Sequence, residues 1–197
     1  SLNWEPSDLN LMPFVMGDVS SIPEYLRPYV PVLDACGVEG NELGQVGYLS
    51  VHESVVPAGR SQRRPGIHTE GHGLGAARWQ GWGRGDWTGR REGGLYQAST
   101  VSASCRAWDT VVERPTGSMG DCEDLRGSLG PGFLLRANRV YWMTDQVPHE
   151  SVLLQKETYR QWFRLVTSQI DVWYAAHSST NPLGVVPPCE VVTGSKF

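Results

Sequence analysis

Between residues 45 and 56 the chain alternates apolar and polar side chains with a period of two, the pattern of a strand with one buried face. The same reading predicts a short strand over residues 66–71 and a hairpin built from 94–102 and 105–112. Further strands are predicted over 133–136, 139–144 and 158–174. Helical pattern is confined to the N-terminal part. Ser21, Ile22 and Pro23 look like a helix start, and Pro28 and Pro31 in EYLRPYVPVLDAC hold any helix there to about two turns. Residues 1–42 therefore read as a cap on the outside of a sheet. Residues 115–131 read as a polar, glycine-rich connection with one helical turn at DCEDLR, and the tail from Ser178 as a turn and an extended strap. Seven or eight short strands at this spacing predict a mostly β, double-sheet jelly roll with a short helical N-terminal cap.

Composition agrees with that architecture. A length of 197 residues suits a single domain with its own core, and 23 Gly, 13 Pro and 8 Trp favour a turn-rich β protein with aromatic anchors over a helical bundle. Neither an internal repeat nor a heptad pattern is present. A net charge of −4 lacks the basic footprint that nucleic-acid or anionic-membrane binding needs. Cys36, Cys105, Cys122 and Cys189 are far apart, without CxxC spacing, so a reduced, cytoplasmic setting is the simplest reading; an even number leaves one or two disulfides open. The first residues, SLNWEPSDLN, lack the basic and apolar regions of a leader, although one removed earlier stays open. No run of 18 apolar residues exists to span a membrane.

The chemistry centres on RPGIHTEG, residues 64–71. His68 and Glu70 stand two apart, so on a strand an imidazole and a carboxylate share one face and can converge on a cation. A third ligand has to come from another strand, and His149 in DQVPHES is the best candidate. Two His and one carboxylate on one face of an ion leave three positions open, the arrangement that suits non-haem Fe(II) and its oxygen chemistry. Beyond His149 the alternation of TYRQWFRLVTSQIDVWY gives Arg160, Trp162, Arg164 and Val166 a common face. Two guanidinium groups on an inward face need anionic partners, and a dicarboxylate co-substrate would supply them.

On these residues the chain resembles the Fe(II)/2-oxoglutarate-dependent oxygenases, in particular the branch of taurine dioxygenase and clavaminate synthase. The resemblance rests on His68-Thr69-Glu70, on His149, and on arginines eleven and fifteen positions further on. It implies a double-stranded β-helix of the jelly-roll, cupin-like kind, Fe(II) held by His68, Glu70 and His149, and 2-oxoglutarate as co-substrate. It also implies that Arg164 binds the distal carboxylate of 2-oxoglutarate and Arg160 lies near the iron-chelating one. The reaction would be hydroxylation or a related oxidation of a small molecule or a side chain. The chain departs from the family in carrying Glu where Asp is usual and in being short.

Other readings use the same residues. A cupin metalloenzyme would share the barrel, but its HxH motif is absent; His72 is an alternative third ligand, His52 reads as a core or surface histidine, and His177 as a turn cap. Residues 71–94 hold nine Gly, three Trp and four Arg and read as a long loop inserted after the ligand strand. As a lid, Trp79, Trp82 and Trp87 would cover substrate, and Arg84, with Arg78, Arg90 or Arg91, would meet an anion; as a solvated loop, the tryptophans anchor it to the domain. A non-catalytic jelly-roll module for carbohydrate or protein contact is the non-enzyme alternative.

Overall fold

The computed structural model describes residues 7–71, 85–86 and 92–194. It contains β1 (Asp8–Val15), β2 (Val46–Val56), β3 (Gly85–Asp86), β4 (Glu92–Gly93), β5 (Leu95–Ser99) and β6 (Cys105–Ala107). These are followed by β7 (Phe133–Leu134), β8 (Tyr141–Met143), β9 (His149–Ser151), β10 (Thr158–Val166), β11 (Val172–Tyr174) and β12 (Glu190–Val192). One short helix, α1 (Val30–Ala35), follows a 3-10 segment over Glu24–Tyr29. The fold is mostly β. A five-stranded antiparallel sheet runs in the order β1-β2-β10-β5-β8, and a three-stranded antiparallel sheet in the order β7-β6-β9. β11 and β12 form a small parallel pair.

β10 is the centre of the molecule because both its faces are used. Phe163 and Leu165 pack with Leu49, Val51, Met12, Phe14, Ile22 and Leu26 in a core under the N-terminal helical segment. Their alternating neighbours Arg160, Trp162 and Arg164 point the other way, as period two requires. Register then decides which residues accompany them. Arg164 lies opposite Ser50 and Gln97, Trp162 opposite His52 and Ser99, and Arg160 opposite Ser54. The opposite face of the main sheet is therefore polar over this stretch, and gives way at Val166 to a second core with Tyr48, Leu95, Val172 and Trp173.

Several sequence expectations are corrected. Residues 8–15, read as part of the cap, form an edge strand: Met12, Pro13, Phe14 and Val15 pair with Leu49, Tyr48, Gly47 and Val46. Residues 94–112 are not a hairpin. β5 pairs with β10 and β8, and β6 with β7 and β9, so residues 100–104 carry the chain from one sheet to the other. The expected strand over 158–174 is two strands in two sheets, broken at Thr167–Asp171, where Thr167 turns its hydroxyl and amide onto the Gly94 carbonyl. Residues 66–71 hold an isolated bridge at His68 in place of a strand. The Asp121–Arg126 stretch does contain the expected single turn, a 3-10 turn at Glu123–Leu125. All four cysteines are free thiols.

Candidate functional site

The chain brings His68 and His149 directly opposite one another as bridge partners. His68 N–H donates to the His149 carbonyl at 3.0 Å and His149 N–H to the His68 carbonyl at 2.9 Å, a closed antiparallel bridge. Residues in such a pair project their side chains to the same side. The two rings are 4.6 Å apart between centroids. Each ring is oriented in the same way, by the carbonyl two residues upstream: His68 Nδ1 lies 2.8 Å from Gly66 O, and His149 Nδ1 lies 3.0 Å from Val147 O. A carbonyl only accepts, so Nδ1 carries a proton in both rings.

Glu70 completes the cluster, with Oε1 3.7 Å from His149 Nε2. The same oxygen accepts from Arg164 Nη1 at 2.6 Å. Burial works to raise the Glu70 carboxyl, but Arg164, followed by His149 and His68, holds it well below the usual carboxylate range. His68 is pushed down to about 3, by burial first and by His149 second. It is therefore neutral at ordinary pH, which is the state a ligand needs. The donor chemistry, two imidazole Nε2 atoms and one carboxylate, suits a divalent first-row metal. Among the described residues, however, no group of three His, Cys, Asp or Glu is arranged to hold a metal ion as it stands. Arg164 supplies the positive charge at Glu70 Oε1, so cation binding requires that carboxylate to turn away from the guanidinium.

Backbone features aim these groups. β1 and β2 lose register between Leu9 and Met12, and Leu11 adopts φ 49°. This bulge frees Asn10, whose Oδ1 accepts from Ser50 Oγ at 3.2 Å and from Arg164 Nη2 at 3.3 Å. The ligand segment is pinned from the other side: Thr69 N–H donates to Gly120 O at 2.9 Å, and Ile67 N–H to Glu123 Oε2 at 2.8 Å.

Four residues along β10, Arg160 is held differently from Arg164. Only 1% of it is exposed, its Nε donates to Ser99 Oγ at 3.0 Å, and its Nη2 is buried with no partner. No acid among the described residues pairs with it, and burial pushes the guanidinium down to about 10. The arginine that pairs with Glu70 is thus Arg164, and Arg160 makes no ion pair among the described residues.

Of the remaining expected site residues, Trp79, Trp82, Trp87, Arg84, Arg78, Arg90, Arg91 and the alternative ligand His72 lie outside the described residues. His52 is half-buried on β2 and faces Trp162, with ring centroids 5.7 Å apart. The polar residues that sequence reasoning left out are Asn10, Ser50, Arg63, Gln97 and Ser99. Ser50 and His52 carried one available signal, since they share a period-two face of β2 whose other face carries Leu49 and Val51. No family model, curated protein or solved structure matches the chain. No helix among the described residues is long and apolar enough to cross a membrane.

Proposed function

We propose that this protein is an Fe(II)- and 2-oxoglutarate-dependent oxygenase on a double-stranded β-helix, with His68, Glu70 and His149 as metal ligands. The observation that carries the reading is the matched orientation of the two histidines. Each is fixed by a backbone carbonyl on Nδ1, and the half-buried Glu70 carboxylate lies 3.7 Å from His149 Nε2, the outer support that metal-ligating histidines need. The bound iron and 2-oxoglutarate would together supply the oxidant that removes a hydrogen from substrate.

The chain's own residues have four tasks in this reading. His68, Glu70 and His149 would hold the metal. Arg160, with its unpartnered buried Nη2 and the Ser99 hydroxyl next to it, binds the distal carboxylate of the co-substrate, where a planar fork gives two charge-assisted hydrogen bonds. Arg164, steadied by Asn10, balances Glu70 and keeps it ionised. Trp162 forms the apolar floor between the two arginines and limits water.

The test is anaerobic titration of 2-oxoglutarate into Fe(II)-loaded protein, following the metal-to-ligand charge-transfer band. A saturable band in wild type, lost in His68→Ala, Glu70→Ala and His149→Ala with the fold intact by circular dichroism, is expected. Absence of both the band and saturable binding in wild type would remove the proposal.

A further inference from the structure

The face of the main sheet opposite His52, Arg160, Trp162 and Arg164 carries a second set of polar residues, which the oxygenase reading leaves unused. Period two puts Glu53 of β2 and Gln161 and Phe163 of β10 on that side, and Glu53 lies directly across from Gln161 in the strand register. The N-terminal helical segment, residues 24–35, covers this face without sealing it. A cavity of about 420 Å³ remains between Tyr25, Tyr29 and Val32 above and Glu53, Gln161 and Phe163 below, within the roughly 300–1,000 Å³ of small-molecule sites.

The feature of this cavity that asks for a ligand is Glu53. Only 6% of it is exposed, yet its hydrogen bonds among the described residues all come from neutral donors. Its Oε1 accepts from Gln161 Nε2 at 2.7 Å and from the Tyr29 hydroxyl, and its Oε2 accepts from the Ser7 amide at 2.8 Å. Burial first, and Glu53 second, raise the Tyr29 pKa, so that hydroxyl keeps its proton and stays a donor. Among the described residues no Arg, Lys or His forms an ion pair with Glu53. A carboxylate has about four acceptor positions, so one on Oε2 is left over. Neutral donors hold the group in place without cancelling its charge, and a buried charge without a counter-ion is unfavourable.

The walls suit a cation with a hydrocarbon body. Tyr29 and Phe163 stand nearly parallel, with 12° between their planes and centroids 6.3 Å apart, and Tyr25 is 59% exposed at the mouth. Aromatic faces attract ammonium groups. Val32, Ala98 and Val140 add aliphatic surface to the lining, while the exposed Arg139 at the rim opposes a second positive charge.

We propose that this cavity binds a protonated monoamine with an apolar body, whose ammonium donates to Glu53 Oε2 while its ring or alkyl chain lies against Tyr29, Phe163 and Val32. The main sheet separates the site from His68, Glu70 and His149, so it stands whether or not the chain binds iron.

The test is calorimetric titration of the full chain, metal-free, with benzylammonium and hexylammonium, with benzyl alcohol and hexanol as neutral counterparts, and with spermidine as a polycation. Wild type is expected to bind at least one ammonium about tenfold or more tightly than its alcohol, and spermidine more weakly than that ammonium. Glu53→Gln, which keeps the size of the side chain, should weaken the ammonium on the order of tenfold or more and leave the alcohol within about twofold. Tyr29 ring resonances, assigned by Tyr29→Phe, should shift as the ammonium saturates. The proposal is overturned if neither ammonium binds saturably, if the alcohols or spermidine bind as tightly, if binding leaves Tyr29 unmoved, or if folded Glu53→Gln keeps full ammonium affinity. Should circular dichroism show that Glu53→Gln does not fold, the comparison of ammonium with alcohol in wild type, read at Tyr29, decides by itself.

Discussion

At the scale of single residues, the two arginines of β10 make opposite demands on the ligand-free chain. Arg160 is a buried cation whose Nη2 has nothing to bind, and such a charge is destabilising until a ligand arrives. Arg160→Met should therefore raise the denaturation midpoint of the apo protein by the equivalent of about 1–3 kcal/mol. It should also weaken 2-oxoglutarate on the order of a hundredfold, since roughly 1.5–3 kcal/mol goes with each charge-assisted bond lost. Urea unfolding and charge-transfer titration read the two effects, and loss of stability in Arg160→Met would mean that the guanidinium is satisfied. Arg164→Ala should do the contrary, because it strands Glu70. A loss of about 3 kcal/mol is expected in the metal-free protein, with part of it regained on adding Mn(II), which takes over the carboxylate. His52 adds a pH dependence. Burial, then Arg63, lowers its folded-state pKa from 6.5. As pH falls below about 6.5 the unfolded chain takes up a proton that the folded chain resists, so the stabilisation present above that pH is progressively lost. Unfolding midpoints measured from pH 7.5 to 4.5 should fall less steeply in His52→Gln than in wild type.

At the scale of elements, the ligand segment depends on one glycine. Gly120 has φ +77°, and a Cβ there would lie 2.1 Å from Thr69 O and 3.0 Å from Gly71 O. Its carbonyl also takes the Thr69 amide. Gly120→Ala should cost more than about 2 kcal/mol and abolish metal binding, because the displaced backbone carries both His68 and Glu70. Gly127→Ala, where an added Cβ meets open space, should stay within about 0.5 kcal/mol. Equal effects in the two variants would show that the segment tolerates movement.

The same scale shows what was legible in the sequence. β2 and β10 are long, and each carries an apolar row on one face, so period two finds them. β1 escaped because seven of its eight residues are buried or half-buried, which erases the alternation, and because the bulge at Asn10 and Leu11 interrupts what is left. The false hairpin has a different origin: alternation reports which face of a strand is buried but says nothing about its partner, and residues 100–104 cross between sheets. His68 and Glu70 were visible as a two-residue spacing, and His149 as a lone histidine at a suitable distance. Arg63 was not visible, since only the Trp162–His52 register brings it over the ring.

At the scale of the whole molecule, the candidate site is tied together from distant parts of the chain. Asn10 comes from the edge strand, His52 from β2, His68 and Glu70 from the bridge segment, His149 from the three-stranded sheet and Arg160 and Arg164 from β10. A ligand that joins these groups binds the folded chain and has no counterpart in the unfolded one, so it must stabilise the global fold by mass action. At a hundred times its dissociation constant the gain is about 2.7 kcal/mol, which for a chain of this size raises Tm by roughly 5–11 °C at about 2–4 °C per kcal/mol. The order of addition carries the discrimination. Mn(II) alone should raise Tm; 2-oxoglutarate alone should do little, because Arg160 would hold only one end of it; and 2-oxoglutarate added after Mn(II) should give a further rise. Arg160→Gln should keep the metal step and lose the second, whereas Glu70→Gln should lose both. If 2-oxoglutarate stabilises wild type equally with and without Mn(II), metal and co-substrate do not share a site, and the assignment of His68, Glu70 and His149 as the ligands beneath it fails.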